Sequence, residues 1–270
     1  MLFNLTMAQP WLERRQDELL HTLDMCLCIE EQKLLCDLIY RFKYISSQGF
    51  GEGIGQMANQ ISNVWSCAPD KTIIVAINRS DFSDSSQAVL WHLKPAMARV
   101  EGWGTRNFVA KMSDAVARSK NGDSIILIDE FAGTGETLER AIRWFQKKTT
   151  EGGKEVTLQS CVLAAMEASR VPVESTGIQF FSANWLRRGI ADHYTGDDLE
   201  NAISRMKRLE GELEEKIGIK ELKSYSFGYK QSESLYYSEN GNAVNNVFPI
   251  FWWPQVRGKR HRSTILVRLQ

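Results

Sequence analysis

No stretch of this 270-residue sequence approaches the roughly 20 consecutive apolar residues that a membrane-spanning helix needs. The opening MLFNLTMAQPWLERR lacks the basic and apolar regions of a secretory signal. The expectation is therefore a cytoplasmic protein with no membrane association. An excess of charge is also missing: 33 Lys and Arg balance 33 Asp and Glu, so no global basic field draws the chain to nucleic acid. The five cysteines, Cys26, Cys28, Cys36, Cys67 and Cys161, contain no CxxC pair and sit among apolar neighbours, which reads as reduced core thiols. The four histidines lie far apart and form no HExxH or HxH pair, which argues against a zinc site. Internal repeats and low-complexity segments are lacking as well, so a solenoid or a disordered linker is not the architecture.

What is present suffices for one sizeable core with appended elements. Residues 11–43 carry leucines at helical spacing, ending in Leu34, Leu35, Leu38, Ile39 and Phe42. A glycine cluster, Gly49 to Gly55, follows as a flexible connection or helix entry. It leads into a helix with Ile54, Met57, Ile61 and Val64 on one face. Thr72–Ile77 and Ser124–Ile128 are short, wholly apolar runs that fit strands buried on both faces, and Val156–Met166 and Ile178–Phe181 extend the series. Between them the spacing predicts a helix through Val89, Leu90 and Leu93 that stops near Pro95, and another over 107–119. A third carries Leu138, Ala141, Ile142 and Phe145. Strands alternating with helices argue for a parallel sheet covered on both sides. A long amphipathic helix then starts at Gly196-Asp-Asp198 and continues its stripe to Ile217. The tail is aromatic, then basic (Arg257 to Arg262), and closes on a strand over Thr264–Val267. The resulting division is an N-terminal helical extension over 1–66 outside the core, an α/β core over 67–195 and a C-terminal cap over 196–270.

The chemistry concentrates in Ile125-Ile-Leu-Ile-Asp129-Glu130-Phe-Ala-Gly133-Thr134-Gly135-Glu136-Thr137-Leu138. This is a buried strand, two acids at its carboxyl end, a tight loop and a helix. Ligands of open α/β sheets bind beyond the carboxyl ends of strands. A loop that opens a helix presents backbone N–H groups and the positive end of a dipole, which suits a phosphate. Thr134 and Thr137 add hydroxyls, glycines allow close approach, and two carboxylates suit a pair of sugar hydroxyls. A Walker loop needs a lysine where Glu136 stands, and a dinucleotide fingerprint needs a third glycine where Leu138 stands.

This stretch resembles the PRPP-binding signature of the type I phosphoribosyltransferases. Asp84-Ser-Ser-Gln87 with Trp91 and Leu93-Lys94, Arg187-Arg-Gly-Ile190, and Asn245 to Trp252 look like a bacterial branch of that superfamily associated with conflict and anti-phage systems. The resemblance implies a phosphoribosyltransferase-like core that binds PRPP or a nucleotide and acts at the ribose anomeric carbon with Mg²⁺. Asp129 and Glu130 would hold the 2′- and 3′-hydroxyls, touching the metal only through Mg-PRPP, and Gly133 to Thr137 would hold the 5′-phosphate. Arg79, Ser80, Asp84, Ser85 and Arg106 would face the pyrophosphate, with Arg79 joining the two acids in catalysis. Arg187, Arg188, Asn246 and Trp252 would form the hood over the base. Two departures are visible. Gly133 stands where some members carry an acid for purine chemistry, and Glu136 brings a negative charge beside the phosphate.

Three readings follow: an effector enzyme of a defence system, a module that senses a nucleotide or PRPP, and a component that docks a partner protein or nucleic acid. A homo-oligomer is compatible with each. Arg79, Arg106, Arg187, Arg188 and Trp252 also have plainer readings as surface cations and core aromatics, and the basic tail as a solvated segment.

Overall fold

The computed structural model describes residues 2–77, 85–239 and 241–269. The chain forms two compact units, one of residues 47–185 and one of residues 1–46 with 186–270. Each has a hydrophobic core of its own, where the composition suggested a single one.

Residues 47–185 build a parallel sheet. Its strands are β1 (Thr72–Ala76), β2 (Phe108–Val109), β3 (Asp123–Ala132), β4 (Val156–Met166) and β5 (Gln179–Ser182). Their spatial order is β2-β1-β3-β4-β5, and the short strand Trp185–Leu186 pairs with β4. Every pairing along that path is parallel, so the carboxyl ends share one edge. The helices are α1 (Ser47–Asn59), α2 (Ser85–Met97), α3 (Met112–Arg118), α4 (Glu136–Glu151) and the short α5 (Arg170–Glu174). Ile73, Val75, Ile125, Leu127 and Val162 share one core cluster with Met112 of α3 and Ala141, Ile142 and Phe145 of α4. Ile74, Ile126 and Ile128 alternate with these and are equally buried, on the side where α1 and α2 pack. Burying each such side chain contributes roughly 1.5–3 kcal/mol, which explains why β1 and β3 read as unbroken apolar runs.

The glycine cluster proves to lie inside α1 rather than in a connection. A Cβ on Gly53 would sit 2.4 Å from Leu163 Cδ1, so this glycine lets α1 approach β4 closely. Residues 47–66 therefore belong with the sheet, and not with an extension outside the core. Phe108, expected in a helix, is in strand β2, and only 112–118 is helical. Helix α2 passes Pro95 and ends at Met97.

The second unit joins both ends of the chain. The expected helix over 11–43 is broken into a 3₁₀ turn at Pro10–Arg15 and helices at Gln16–Leu23 and Ile29–Tyr40. Their leucines share a core with Met206 and Leu209 of α6 (Gly196–Glu210) and with Phe248, Phe251, Trp252 and Trp253. Arg208 of α6 donates to buried Glu31 at 2.7 Å, and Glu31 also accepts from the Leu27 N–H at 2.8 Å. Lys43–Ile45 pairs in parallel with Tyr236–Ser238. Helix α6 stops at Glu210 because the chain turns into a hairpin of β6 (Lys216–Ile217) and β7 (Lys220–Glu221). Thr264–Val267 is not a strand; Ile265 and Leu266 are buried in irregular chain, with the Leu266 N–H bonded to the Phe251 carbonyl.

Residues 227–233 are conformationally costly, since Phe227, Lys230, Gln231 and Glu233 all have left-handed φ between 50° and 57°. Gly228, at φ +77°, would place a Cβ 1.9 Å from the Asn246 carbonyl oxygen, whereas Gly258, at φ +78°, faces open space. Gly228→Ala is expected to lower unfolding stability by at least about 3 kcal/mol and Gly258→Ala by about 1–2 kcal/mol. Urea denaturation of both variants checks the difference, and equal losses would contradict it.

Glu210 is buried beneath this loop, accepting from Ser226 Oγ at 2.6 Å and the Phe227 N–H at 3.0 Å. Burial raises its carboxyl from 4.5 to about 7, against the opposing pull of those two bonds. The folded protein thus holds a proton that the unfolded chain releases between those pH values. Stability is fully present below about pH 4.5 and falls as pH rises through about 7, by on the order of 1–3 kcal/mol. Glu210→Gln should flatten this slope in unfolding experiments run from pH 5 to pH 8.

Candidate functional site

Strand β3 is central and carries the acids at its carboxyl end. It runs to Ala132, so Asp129 and Glu130 are still paired in the sheet, with Asp129 opposite Val162. Their environments differ. Glu130 is buried, while Asp129 is half-buried, and its Oδ1 accepts from the Glu130 N–H at 2.7 Å. Asp129 is the acid presented at the edge.

Gly133 and Thr134 are half-buried, and Gly135 is buried at the N-cap of α4. Gly135 has φ +81°, a left-handed conformation that disfavours a Cβ. An added Cβ there would lie 2.8 Å from the Ser169 carbonyl oxygen, so the loop is pressed on the 3₁₀ turn Glu167–Ser169 that follows β4. No side chain caps the start of α4, and the first helical bond runs from the Glu139 N–H to the Gly135 carbonyl at 2.7 Å. Thr137 is exposed on the first turn.

The charge of Glu136 has a local counterweight. Arg140 lies 3.7 Å from its carboxylate, one turn further along the helix, with the acid on the N-terminal side as such pairs prefer. The pair draws Glu136 along α4 and away from the loop. The i,i+4 spacing was visible in the sequence; the packing of Ser169 against Gly135 was not.

Other expected site residues are dispersed. Arg79, Ser80 and Asp84 lie outside the described residues. Ser85 is exposed at the start of α2, after the segment that leaves the carboxyl end of β1, where Ala76 is level with Ile128. Arg106 is exposed just before Phe108, which is level through Ile74 with Ile126. It therefore sits toward the amino ends of the strands, away from the Asp129 edge, because parallel strands point one way.

Arg187, Arg188, Asn246 and Trp252 belong to the second unit. Arg188 donates to Asp192 Oδ1 at 2.8 and 3.0 Å, and Arg187 donates to the Asp192 carbonyl at 2.6 Å. Burial works to raise the Asp192 carboxyl, but the bonds from Arg188 prevail and hold it below its usual range. Asn246 is buried and donates to Ser232 Oγ at 3.0 Å. Trp252 is 1% exposed, its indole N–H bonded to the Val247 carbonyl at 2.9 Å and its ring 4.8 Å from the Arg268 guanidinium. In place of an open platform for a base, Trp252 is a packed core residue. The sequence reading also missed buried Glu233, which accepts from the Ile190 and Ala191 N–H groups at 2.6 and 2.8 Å.

Asp129 and Glu130 offer two carboxylates, and among the described residues no third His, Cys, Asp or Glu joins them in a metal-binding group. No helix among the described residues is long and apolar enough to cross a membrane.

Residues 29–260 match the PRTase-CE family. No curated protein matches. Solved structures give loose overlays. One is a hypothetical protein from Neisseria gonorrhoeae with bound ppGpp, 16% identical, covering 62% of this chain and 97% of that one at a TM-score of 0.37. Another is the HGPRT-ase of Leishmania tarentolae in complex with GMP, 15% identical, with coverages of 52% and 79% and a TM-score of 0.36. A third is the orotate phosphoribosyltransferase of Aeropyrum pernix, 11% identical, with coverages of 59% and 76% and a TM-score of 0.33. The family match spans most of the chain and contains the acid-and-glycine loop at the end of the central parallel strand: this protein belongs to the PRTase-CE family, and its α/β core is built on a parallel sheet.

Proposed function

We propose that the loop from Asp129 to Thr137 binds the ribose 5-phosphate portion of PRPP or of a ribonucleotide, and that the protein transfers or hydrolyses at the anomeric carbon. The observation that supports this most is the Gly135 turn, which sets a left-handed residue at the mouth of α4 directly after two strand-end acids. Backbone N–H groups at that mouth take the phosphate, helped by the helix dipole. Asp129 accepts from a ribose hydroxyl, and Glu130, deeper in the sheet, holds the second hydroxyl and the strand end. Ser85, at the start of α2 after the neighbouring strand, is a candidate for the pyrophosphate, and the sequence resemblance adds Arg79, Ser80 and Asp84; Arg106 is left out by its position at the other edge. A Mg²⁺ carried by PRPP would neutralise diphosphate charge, with Asp129 and Glu130 touching it only through the bound PRPP. In the reaction the anomeric C–O bond to pyrophosphate breaks, the acceptor's nitrogen or a water oxygen forms the new bond, and the acceptor loses a proton. Catalysis is positioning and electrostatic stabilisation of an oxocarbenium-like state. A cytoplasmic role as effector of an anti-phage system is the biological setting that the sequence resemblance favours.

Calorimetry with PRPP and Mg²⁺ tests the site. Asp129→Asn is expected to weaken binding about ten- to a hundredfold, the worth of one charge-assisted hydrogen bond. Glu136→Ala should leave binding unchanged or tighten it slightly, since its charge opposes the phosphate. No effect of Asp129→Asn together with weaker binding by Glu136→Ala would refute the assignment. Mass spectrometry of the same mixtures with added nucleotides reads released pyrophosphate or free base, and binding without either product would favour the sensing role.

Gly135→Ala adds a check on the turn. The strained backbone and the overlap with Ser169 should cost about 2–4 kcal/mol of stability and abolish PRPP binding. A variant that binds PRPP normally would show that the turn does not shape the site.

A further inference from the structure

The second unit contains a cavity that the ribose-phosphate reading does not use. It has a volume of about 580 Å³, within the range of small-molecule sites, and is walled by the C-terminal end of α6, the β6–β7 hairpin and the chain at Arg257. Its chemistry is polarised. Leu222, half-buried, is an apolar wall, and Leu213 is fully buried behind the lining. Glu210 lies at the floor, 3% exposed. Lys207, Lys216 and Arg257 stand exposed around the opening, and none has an ion-pair partner among the described residues, whereas Lys223 is held by Glu221 at 2.9 Å. The opening is fixed by backbone bonds, from the Arg257 N–H to the Glu212 carbonyl at 2.9 Å and from the Leu222 N–H to the Glu215 carbonyl at 2.8 Å.

We propose that this cavity is a second ligand site that takes a nucleotide, its base inserted toward Glu210 and its phosphates at Lys216 and Arg257. The floor and the opening ask for opposite ends of one molecule. At the floor, the carbonyl end of the α6 dipole and the Glu210 carboxyl repel an anion and favour N–H donors. With its carboxyl ionised, as at pH 8, Glu210 has about four acceptor directions and spends three on Ser226 and Phe227, which leaves room for a ring or amino N–H of a base. Between them, the Leu222 side chain offers an apolar surface to a flat ring. Three unpaired cations at the opening suit phosphate oxygens. An inorganic anion alone satisfies only the opening, and a neutral aromatic only the interior. This site is independent of the loop at Asp129, which lies in the other unit.

Calorimetry on the full chain with ATP, GTP and inorganic phosphate, each titrated separately, tests the proposal. The titrations are run on the Asp129→Asn background so that binding at the loop is weakened. At least one of the two nucleotides should still bind there, and inorganic phosphate at least tenfold more weakly. Adding Lys216→Ala with Arg257→Ala should weaken the nucleotide about tenfold or more; both positions are exposed, and circular dichroism verifies that the fold is kept. Glu210→Gln, which turns one acceptor into a donor, should change the ratio of ATP to GTP affinity, a readout that loss of surface charge does not move. The proposal is overturned if neither nucleotide binds the Asp129→Asn protein. It fails equally if the double substitution leaves affinity unchanged, or if inorganic phosphate binds as tightly as the nucleotides.

Discussion

Strand β3 has no side open to water. It is flanked by β1 and β4, and its two faces meet different helices, so four consecutive positions from Ile125 to Ile128 must fit protein on every side. Such a strand gains most of its stability from apolar burial and tolerates polar groups only where it emerges. That constraint puts the first acids at the carboxyl edge. It also makes the turn that follows tight, since α4 must fold back over the face it has just left. The position of the candidate site is thus a consequence of how the sheet is buried.

The turn meets a second constraint at Gly135. The Ser169 backbone crowds the place where a Cβ would stand, and the φ of +81° excludes most other residues independently. Two unrelated costs converge on one position, so a glycine there is fixed by geometry before any ligand is considered. Glu136, which looked out of place beside a phosphate, is accounted for by Arg140 one turn along.

The sheet was legible because burial on both faces leaves a mark in composition: the runs at 72–77 and 124–128 and the long apolar stretch at 156–166 all became strands. The loop was legible because its order of residue types is itself the mechanism. Features that depend on distant partners were not. Phe108 lies in a two-residue strand that exists only because β1 supplies a ladder, so its neighbours' helical spacing misled. The glycines of 49–55 look like a breaker in isolation, and only the approach of Gly53 to Leu163 explains a helix there. Trp252 could be read from sequence either as a hood over a base or as core, and only its enclosure by Tyr225, Trp253 and Arg268 decides for the core. The pairing of residues 1–46 with 186–270 has no local signal at all, because the apolar faces that meet are far apart in sequence.

That last feature bears on how the chain is made. Leu12, Leu19, Leu35 and Leu38 emerge early from the ribosome, but Phe248, Trp252 and Trp253, which share their core, come last. At about 5–20 residues per second, the segment from 47 to 185 alone occupies roughly seven to thirty seconds of synthesis. By the end of that interval the parallel sheet has its strands and can close, while the leucine faces of the first helices wait uncovered. The exposure ends only when Phe248, Trp252 and Trp253 arrive, so this core closes after the sheet that interrupts it in sequence.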